Sequence, residues 1–302
     1  MDAVDILMVG VIIVILGVGG YLLYLNWPGG EEMQYEDYQA KFVFNVSGNM
    51  QFYPNLRYRE KTISYSVDGA CNSEKRKEIE EALDILEDRT ILNFARMDNG
   101  EIEILCSEIA PTPEQEGHFI AGEGGPSEII EAGEYNVIFS GKVSLYREEK
   151  CETPQVALHE ILHALGFEHN SDEDSIMFPL TDCSHKLDGY IINKINYLYS
   201  IDSNPDLLIK SASASKSGRY MDFEVGVLNG GFEPSGDFEL LVFIDGKEIK
   251  SFELDGADIG STRIFTVNNL RVPRDFGKVV FEIEYGGSEI SKTNNNAEIF
   301  PS

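Results

Sequence analysis

The chain has 302 residues, 42% of them hydrophobic and 11% aromatic, enough for about two packed domains and too apolar for wholesale disorder. Against 52 acidic residues stand 24 basic ones, a net charge of −28. Such a surface excludes nucleic acid as a partner, because phosphate binding needs a basic face; the balance implies a solvated acidic surface.

The first segment in chain order is ILMVGVIIVILGVGGYLLYL, Ile6 to Leu25, which carries no charge. Its length at about 1.5 Å per residue is about 30 Å, the thickness of a bilayer core. The preceding MDAVD is acidic, and YLLYLNWPGG offers no small-x-small cleavage site, so an uncleaved transmembrane anchor over 6–25 is expected rather than a signal peptide. Tyr21, Tyr24 and Trp27 would lie at one interface. The first basic residue is Lys41, so charge says almost nothing about topology. Residues 26–50 read as a tether, with a glycosylation sequon at Asn45.

Residues 51–202 mix both kinds of structure. KTISYSV alternates like a strand. NSEKRKEIEEALDILEDRT spaces Ile79, Ala82, Leu83 and Leu86 as a helix does, with Asn72 or Ser73 as N-cap. ILNFARM and EIEILCS read as strands around an MDNGE turn, GHFIAGEGGPSE as a glycine-rich loop, and YNVIF and KVSLY as strands joined at Ser140-Gly141. A helix follows from about Pro154, and DGYIINKINYLY forms a last one. From 204 to 302 the pattern changes to short alternating segments with a hairpin signal at Asp245-Gly246, which predicts a β-sandwich. The fold class is therefore α+β with a separate C-terminal sandwich, and no internal repeat is visible.

Four cysteines are present, Cys71, Cys106, Cys151 and Cys183, none in a CxxC pair. Their even number and wide spacing fit two disulfides outside the cytoplasm; four buried thiols are the alternative. Taken with the apolar segment, this places the large C-terminal part outside a cell membrane.

HEILHALGFEH, His159 to His169, holds three of the five histidines. His159 and His163 are four apart, on one face of a helix and one turn apart, so both imidazoles can reach one ion. Glu160 can reach a water at that ion without ligating it. Gly166 tolerates the left-handed conformation that ends a helix, which lets the chain return His169 as a third ligand. Three neutral imidazoles with one open position make a catalytic zinc site rather than a closed structural one. Five fixed positions coincide by chance in a chain of this length only about once in ten thousand, so an ordinary surface or core role is the weaker explanation.

His159, Glu160, His163, Gly166 and His169 resemble the HExxHxxGxxH signature of the metzincin metalloproteases. Met177, in DSIMFPL eight residues beyond His169, resembles that family's methionine turn, and with Pro179 it is most similar to the matrixin branch. The resemblance covers about 55–200. It implies peptide or protein substrates, one catalytic zinc, Glu160 as general base and Met177 as a support beneath the histidines; calcium is left open. It also implies an edge strand that pairs with the substrate, for which NVIFSGKVSLY is the candidate, an interior strand pair being the alternative. No cysteine motif of a zinc-blocking propeptide is present. His118 is the only histidine where matrixins hold a structural zinc, so that site is not carried over, and His185 reads as a surface residue.

Cys151 and Cys183 flank this helix and turn, so a Cys151–Cys183 bridge beside a Cys71–Cys106 bridge is favoured among the three possible pairings; Cys151 as a zinc-blocking thiol is the competitor. VGVLNGG and TNNNAEI resemble the immunoglobulin-like, CARDB-like domains of prokaryotic surface proteins, which implies a spacer or adhesion module and a prokaryotic origin. The function expected is a membrane-anchored zinc endopeptidase. The rival is a surface peptide-binding or adhesion protein with an inactive domain, which would have no need to retain Glu160.

Overall fold

The computed structural model describes residues 50–112, 120–147 and 150–300. The chain divides into two compact units, 1–43 and 44–302, and the described residues all belong to the second. The apolar segment 6–25, the tether, Asn45 and His118 lie outside the described residues, among which no helix is long and apolar enough to cross a membrane.

Among the described residues, six strands and three helices build the part before residue 204. The strands are β1 (Leu56–Tyr58), β2 (Thr62–Val67), β3 (Asn93–Arg96), β4 (Ile102–Cys106), β5 (Gly122–Ala132) and β6 (Tyr135–Leu145). The helices are α1 (Ser73–Arg89), α2 (Gln155–Ala164) and α3 (Gly189–Ser200). β2, β3, β4 and β6 form a parallel set in the order β6-β4-β2-β3, and β1 extends it by pairing parallel to Asn136–Ile138 of β6. β5 runs antiparallel along the whole length of β6. ILNFARM and EIEILCS therefore do not form a hairpin; β3 and β4 lie on opposite sides of β2.

α1 starts at Asn72, whose side chain accepts the Lys75 N–H at 2.9 Å, and it buries Ile79, Ala82, Leu83 and Leu86 on the sheet. That face, β2 and β4, and the apolar residues of α2 and α3 make one core. The bridges are Cys71–Cys106, which ties the start of α1 to the end of β4, and Cys151–Cys183.

Three sequence readings are corrected here. GHFIAGEGGPSE was expected to be a loop, yet its second half opens β5. Glycines carry no side chain to alternate, so the pattern was silent, and the strand is held by its backbone pairing to β6. YNVIF and KVSLY are one continuous strand, because Gly141 pairs with Ile102 and its N–H reaches Glu101 O at 2.8 Å instead of turning. β6 is also interior, flanked by β5 on one edge and by β1 and β4 on the other, so NVIFSGKVSLY cannot be the substrate edge. β5 lies at one open edge of the sheet, the other being β3, and tolerates Pro126 for that reason.

Beyond residue 206 seven antiparallel strands form two sheets, ordered β10-β9-β12-β13 and β11-β8-β7. They are β7 (Leu207–Ser217), β8 (Tyr220–Asn229), β9 (Phe238–Ile244), β10 (Lys247–Leu254), β11 (Thr262–Arg271), β12 (Val279–Glu284) and β13 (Asn296–Ile299). The inner faces meet over Phe223, whose ring lies 4.9 Å from that of Phe281. Asp245 and Gly246 both take positive φ, 46° and 81°, as a two-residue turn of the type that fits hairpin twist requires.

The sandwich is seated on the first part rather than strung from it. Ala132, Val137, Phe232 and Ile259 form a small core at the junction. Beside it Arg57 is wholly buried. Its guanidinium donates to the carbonyls of Tyr58, Leu198, Ile201 and Arg59 at 2.6–2.8 Å and to Ser203 Oγ at 3.2 Å. Its two faces are covered by Tyr199 at 4.6 Å and by Phe232, from the sandwich, at 4.1 Å. A buried cation satisfied by carbonyls and aromatic faces fixes the end of α3, the connecting segment and the sandwich as one body. Arg57→Met keeps the bulk and removes the donors, leaving buried carbonyls unpaired, so urea unfolding should show a loss of about 3 kcal/mol or more; a loss under about 1 kcal/mol would contradict this role.

A candidate metal centre on the buried helix

All ten residues of α2 are buried, so the helix lies inside the core and not upon it. Its apolar residues, Val156, Leu158, Ile161 and Leu162 among them, face the sheet and the other helices, which leaves His159 and His163 to share a single line one turn apart. The helix stops because Gly166 takes φ +95°, with its N–H on His163 O at 2.9 Å and the Phe167 N–H on Leu162 O at 3.0 Å. A Cβ there would also lie 2.7 Å from Leu56 Cδ2, so two independent constraints require glycine. The chain reverses and Glu168 N–H meets Met50 O at 3.0 Å, which delivers His169 to the other two.

Three ring nitrogens converge. His169 Nε2 lies 3.1 Å from His159 Nε2 and 3.1 Å from His163 Nε2. A tetrahedral zinc with bonds of about 2.0 Å spaces its ligand nitrogens by about 3.3 Å, close to what is found. The far edges of two rings are committed. His159 Nδ1 donates to Ile176 O at 2.6 Å and His163 Nδ1 to Phe167 O at 2.7 Å. Each proton therefore sits on Nδ1 and each Nε2 points a bare lone pair at the same spot. With His169 in the same tautomer three bare acceptors would face one another, and a cation between them would relieve their repulsion, so the residues fit a metal ion.

Burial supports the same state. It pulls the His159 pKa down to about 4, partly opposed by the bond to Ile176 O, and holds His163 well below the ordinary imidazole value; His169, the most exposed of the three, is lowered too. The rings are thus neutral, as ligands must be. Glu160 is buried beside them, and burial first, then the charge of Glu123, pushes its pKa up to about 8.

β5 closes over this helix. A Cβ at Gly124 would come within 2.2 Å of Glu160 O, and one at Gly122 within 2.6 Å of Glu160 Cγ. The glycines of the supposed loop are what let the open edge of the sheet run against the carboxyl. Met177 is fully buried, and its carbonyl accepts the Asn170 N–H at 3.0 Å, joining the turn to the residue after His169. The Cys151–Cys183 bridge and Gln155, whose side chain donates to Cys183 O and His185 O, hold the segment beyond the turn against the start of α2. His185, expected on the surface, is buried, because its ring packs on Phe178 at 6.0 Å and accepts the Asp182 N–H.

Of the residues singled out in the sequence, the structure brings the three histidines together with Glu160 buried beside them, ends the helix at Gly166 and forms the favoured cysteine pairs. Sequence reasoning missed the part played by Gly122 and Gly124 and the hydrogen bond of Tyr146 to Glu123 beside them; a glycine pair two apart ahead of a strand was the available signal.

Residues 57–200 match the family model described as Matrixin. Rat stromelysin-1 is 26% identical over 184 residues, covering 55% of this chain and 38% of that protein. Rat stromelysin-2 is 28% identical over 149 residues, covering 46% and 31%. The chain thus spans about a third of the length of these relatives. A solved CARDB domain from Pyrococcus furiosus, described as a complex with di-metal ions, is 18% identical, with 32% of this chain and 87% of that one covered and a TM-score of 0.29. At that score it adds nothing to the two sheets seen.

Gly124→Ala should force β5 away from α2, lower stability by about 1–3 kcal/mol and displace the Glu160 carboxyl. Thermal unfolding, with an NMR or crystallographic view of Glu160, checks this; an unmoved carboxyl at full stability would show that the close approach is not required.

Proposed function

We infer from a matrixin-like domain at residues 57–200 that this protein is a zinc-dependent endopeptidase facing outward from a membrane. The observation that carries the reading is the convergence of three imidazole Nε2 atoms beside a buried carboxyl. His159, His163 and His169 would hold the ion. When bound, zinc supplies Lewis-acid polarisation of the scissile carbonyl and acidifies a water beside it.

Everything else is work for the chain. Glu160 follows a ligand on the helix and so stands next to the ion without ligating it. It takes the proton that the attacking water loses and hands it to the leaving amine. The committed Nδ1 bonds of His159 and His163 keep both rings in the ligating tautomer throughout. The open edge of β5 offers backbone groups to an extended peptide, which would add to the sheet as another strand. Its position against Glu160 would bring the scissile bond to the base. Anchoring is supported by the uncharged run from Ile6 to Leu25, and an extracytoplasmic site by the two disulfides. The sandwich, fixed at its base by Arg57, would act as a rigid spacer.

Glu160→Gln preserves volume and removes the base. It should retain one zinc per chain and lose about 100-fold or more of peptide hydrolysis. Metal analysis alongside turnover of an unstructured protein substrate reads both. Undiminished hydrolysis would remove Glu160 from the mechanism; hydrolysis absent from the unsubstituted chain as well, with zinc bound, would favour the peptide-binding alternative.

A further inference from the structure

Ser175 has no exposed surface, and its hydroxyl has no unused capacity. It donates to Asp188 Oδ2 at 2.6 Å and accepts from Asn170 Nδ2 at 2.7 Å and from the Met177 N–H at 3.0 Å. One donor and two acceptors are all that a hydroxyl has. The three partners come from three separate segments. Asn170 directly follows His169. Met177 and its neighbour Ile176, whose carbonyl orients His159, form the turn. Asp188 is the N-cap residue of α3, and its carboxylate makes no capping bond there because it is turned to Ser175.

The backbone around this atom repeats the same connections. Asn170 N–H meets Met177 O at 3.0 Å, Ile176 N–H meets Lys186 O at 2.8 Å, and Lys186 N–H meets Asp174 O at 3.0 Å. Two of the three histidines therefore depend on segments that meet at one oxygen: His159 through Ile176 O, and His169 through Asn170. Among the described residues Ser175 is the side chain that hydrogen-bonds to both Asn170 and Met177.

We propose that Ser175 is a positioning residue of the metal centre, its hydroxyl holding the supports of His159 and His169 in register and tying both to Asp188 at the start of α3. The proposal rests on the reading of the histidines as zinc ligands. Without the hydroxyl, the Asn170 amide, the Met177 N–H and the Asp188 carboxylate lose a buried partner together, and the Ile176 carbonyl is free to shift. Outer supports of this kind govern how tightly a metal is held.

The test is the zinc dissociation constant of the oxidised protein, measured by competition with a chromophoric chelator, beside the unfolding midpoint of the zinc-free form. Ser175→Ala should bind zinc about 10–100-fold more weakly. Asp188→Ala should weaken it in the same direction, whereas Asp188→Asn, which keeps an acceptor for the hydroxyl, should stay within about threefold of the parent. The Ser175→Ala/Asp188→Ala double variant should be little worse than Ser175→Ala alone, since the two act through one bond. The Asp188 pair carries the test by itself if Ser175→Ala does not fold. A lowered midpoint with zinc affinity within about twofold of the parent would mean that Ser175 is only structural, and would overturn the proposal. A parent chain that binds no zinc would instead defeat the reading of the triad.

Discussion

The lone pairs of His159 and His163 meet because the opposite edges of both rings are already taken by backbone carbonyls. Everything around the site serves to keep those two carbonyls in place. Phe167 O is held by the left-handed turn at Gly166 and by the bridge that Phe167 makes to Gln51. Ile176 O is held by its neighbours Ser175 and Lys186, and the segment beyond it by the Cys151–Cys183 bridge. A helix alone would supply two ligands of undetermined tautomer. The turn after it and the methionine turn convert them into a directed pair and add the third.

The same economy explains why α2 is buried on all sides. A ligand helix on the surface would leave Glu160 in water as an ordinary carboxylate. Here β5 passes over it so closely that two positions must be glycine, and the Glu160 carboxyl is enclosed between helix and strand. That strand also has an open edge, so on the proposed reading enclosure of Glu160 and capture of a peptide would come from one element. At the other end of β6, Val137 and Ala132 enter the junction core with Phe232, and Arg57 beside them locks α3 to the sandwich.

Local features were legible in the sequence and distant ones were not. The histidine face, the glycine stop, the Asn72 cap and the Asp245-Gly246 turn each depend on neighbours within a few residues, and helical or hairpin periodicity reveals them. β5 escaped notice because its glycines have no side-chain pattern; its register is imposed by β6. β3 and β4 resembled a hairpin, but parallel pairing to β2 is decided by the sheet and not by the turn between them. His185 read as a surface residue, and nothing local in the sequence marked Arg57 for burial. Arg57 is buried through carbonyls 141 and 144 residues distant, and His185 because its own segment folds back to place Phe178 and Asp182 against its ring. Ser175 carried no signal at all, since a hydroxyl between acidic residues and an apolar turn is ordinary until its three partners are seen.

The central claim is that the three Nε2 atoms hold one metal ion. It is tested most directly by zinc content and X-ray absorption on residues 50–302, purified oxidised, for the parent and for His163→Ala. The account predicts one zinc per parent chain in a shell that includes three imidazole nitrogens at about 2.0 Å, with stoichiometric zinc lost in the variant. A parent chain without zinc, or one whose zinc survives His163→Ala with an unchanged shell, would contradict it.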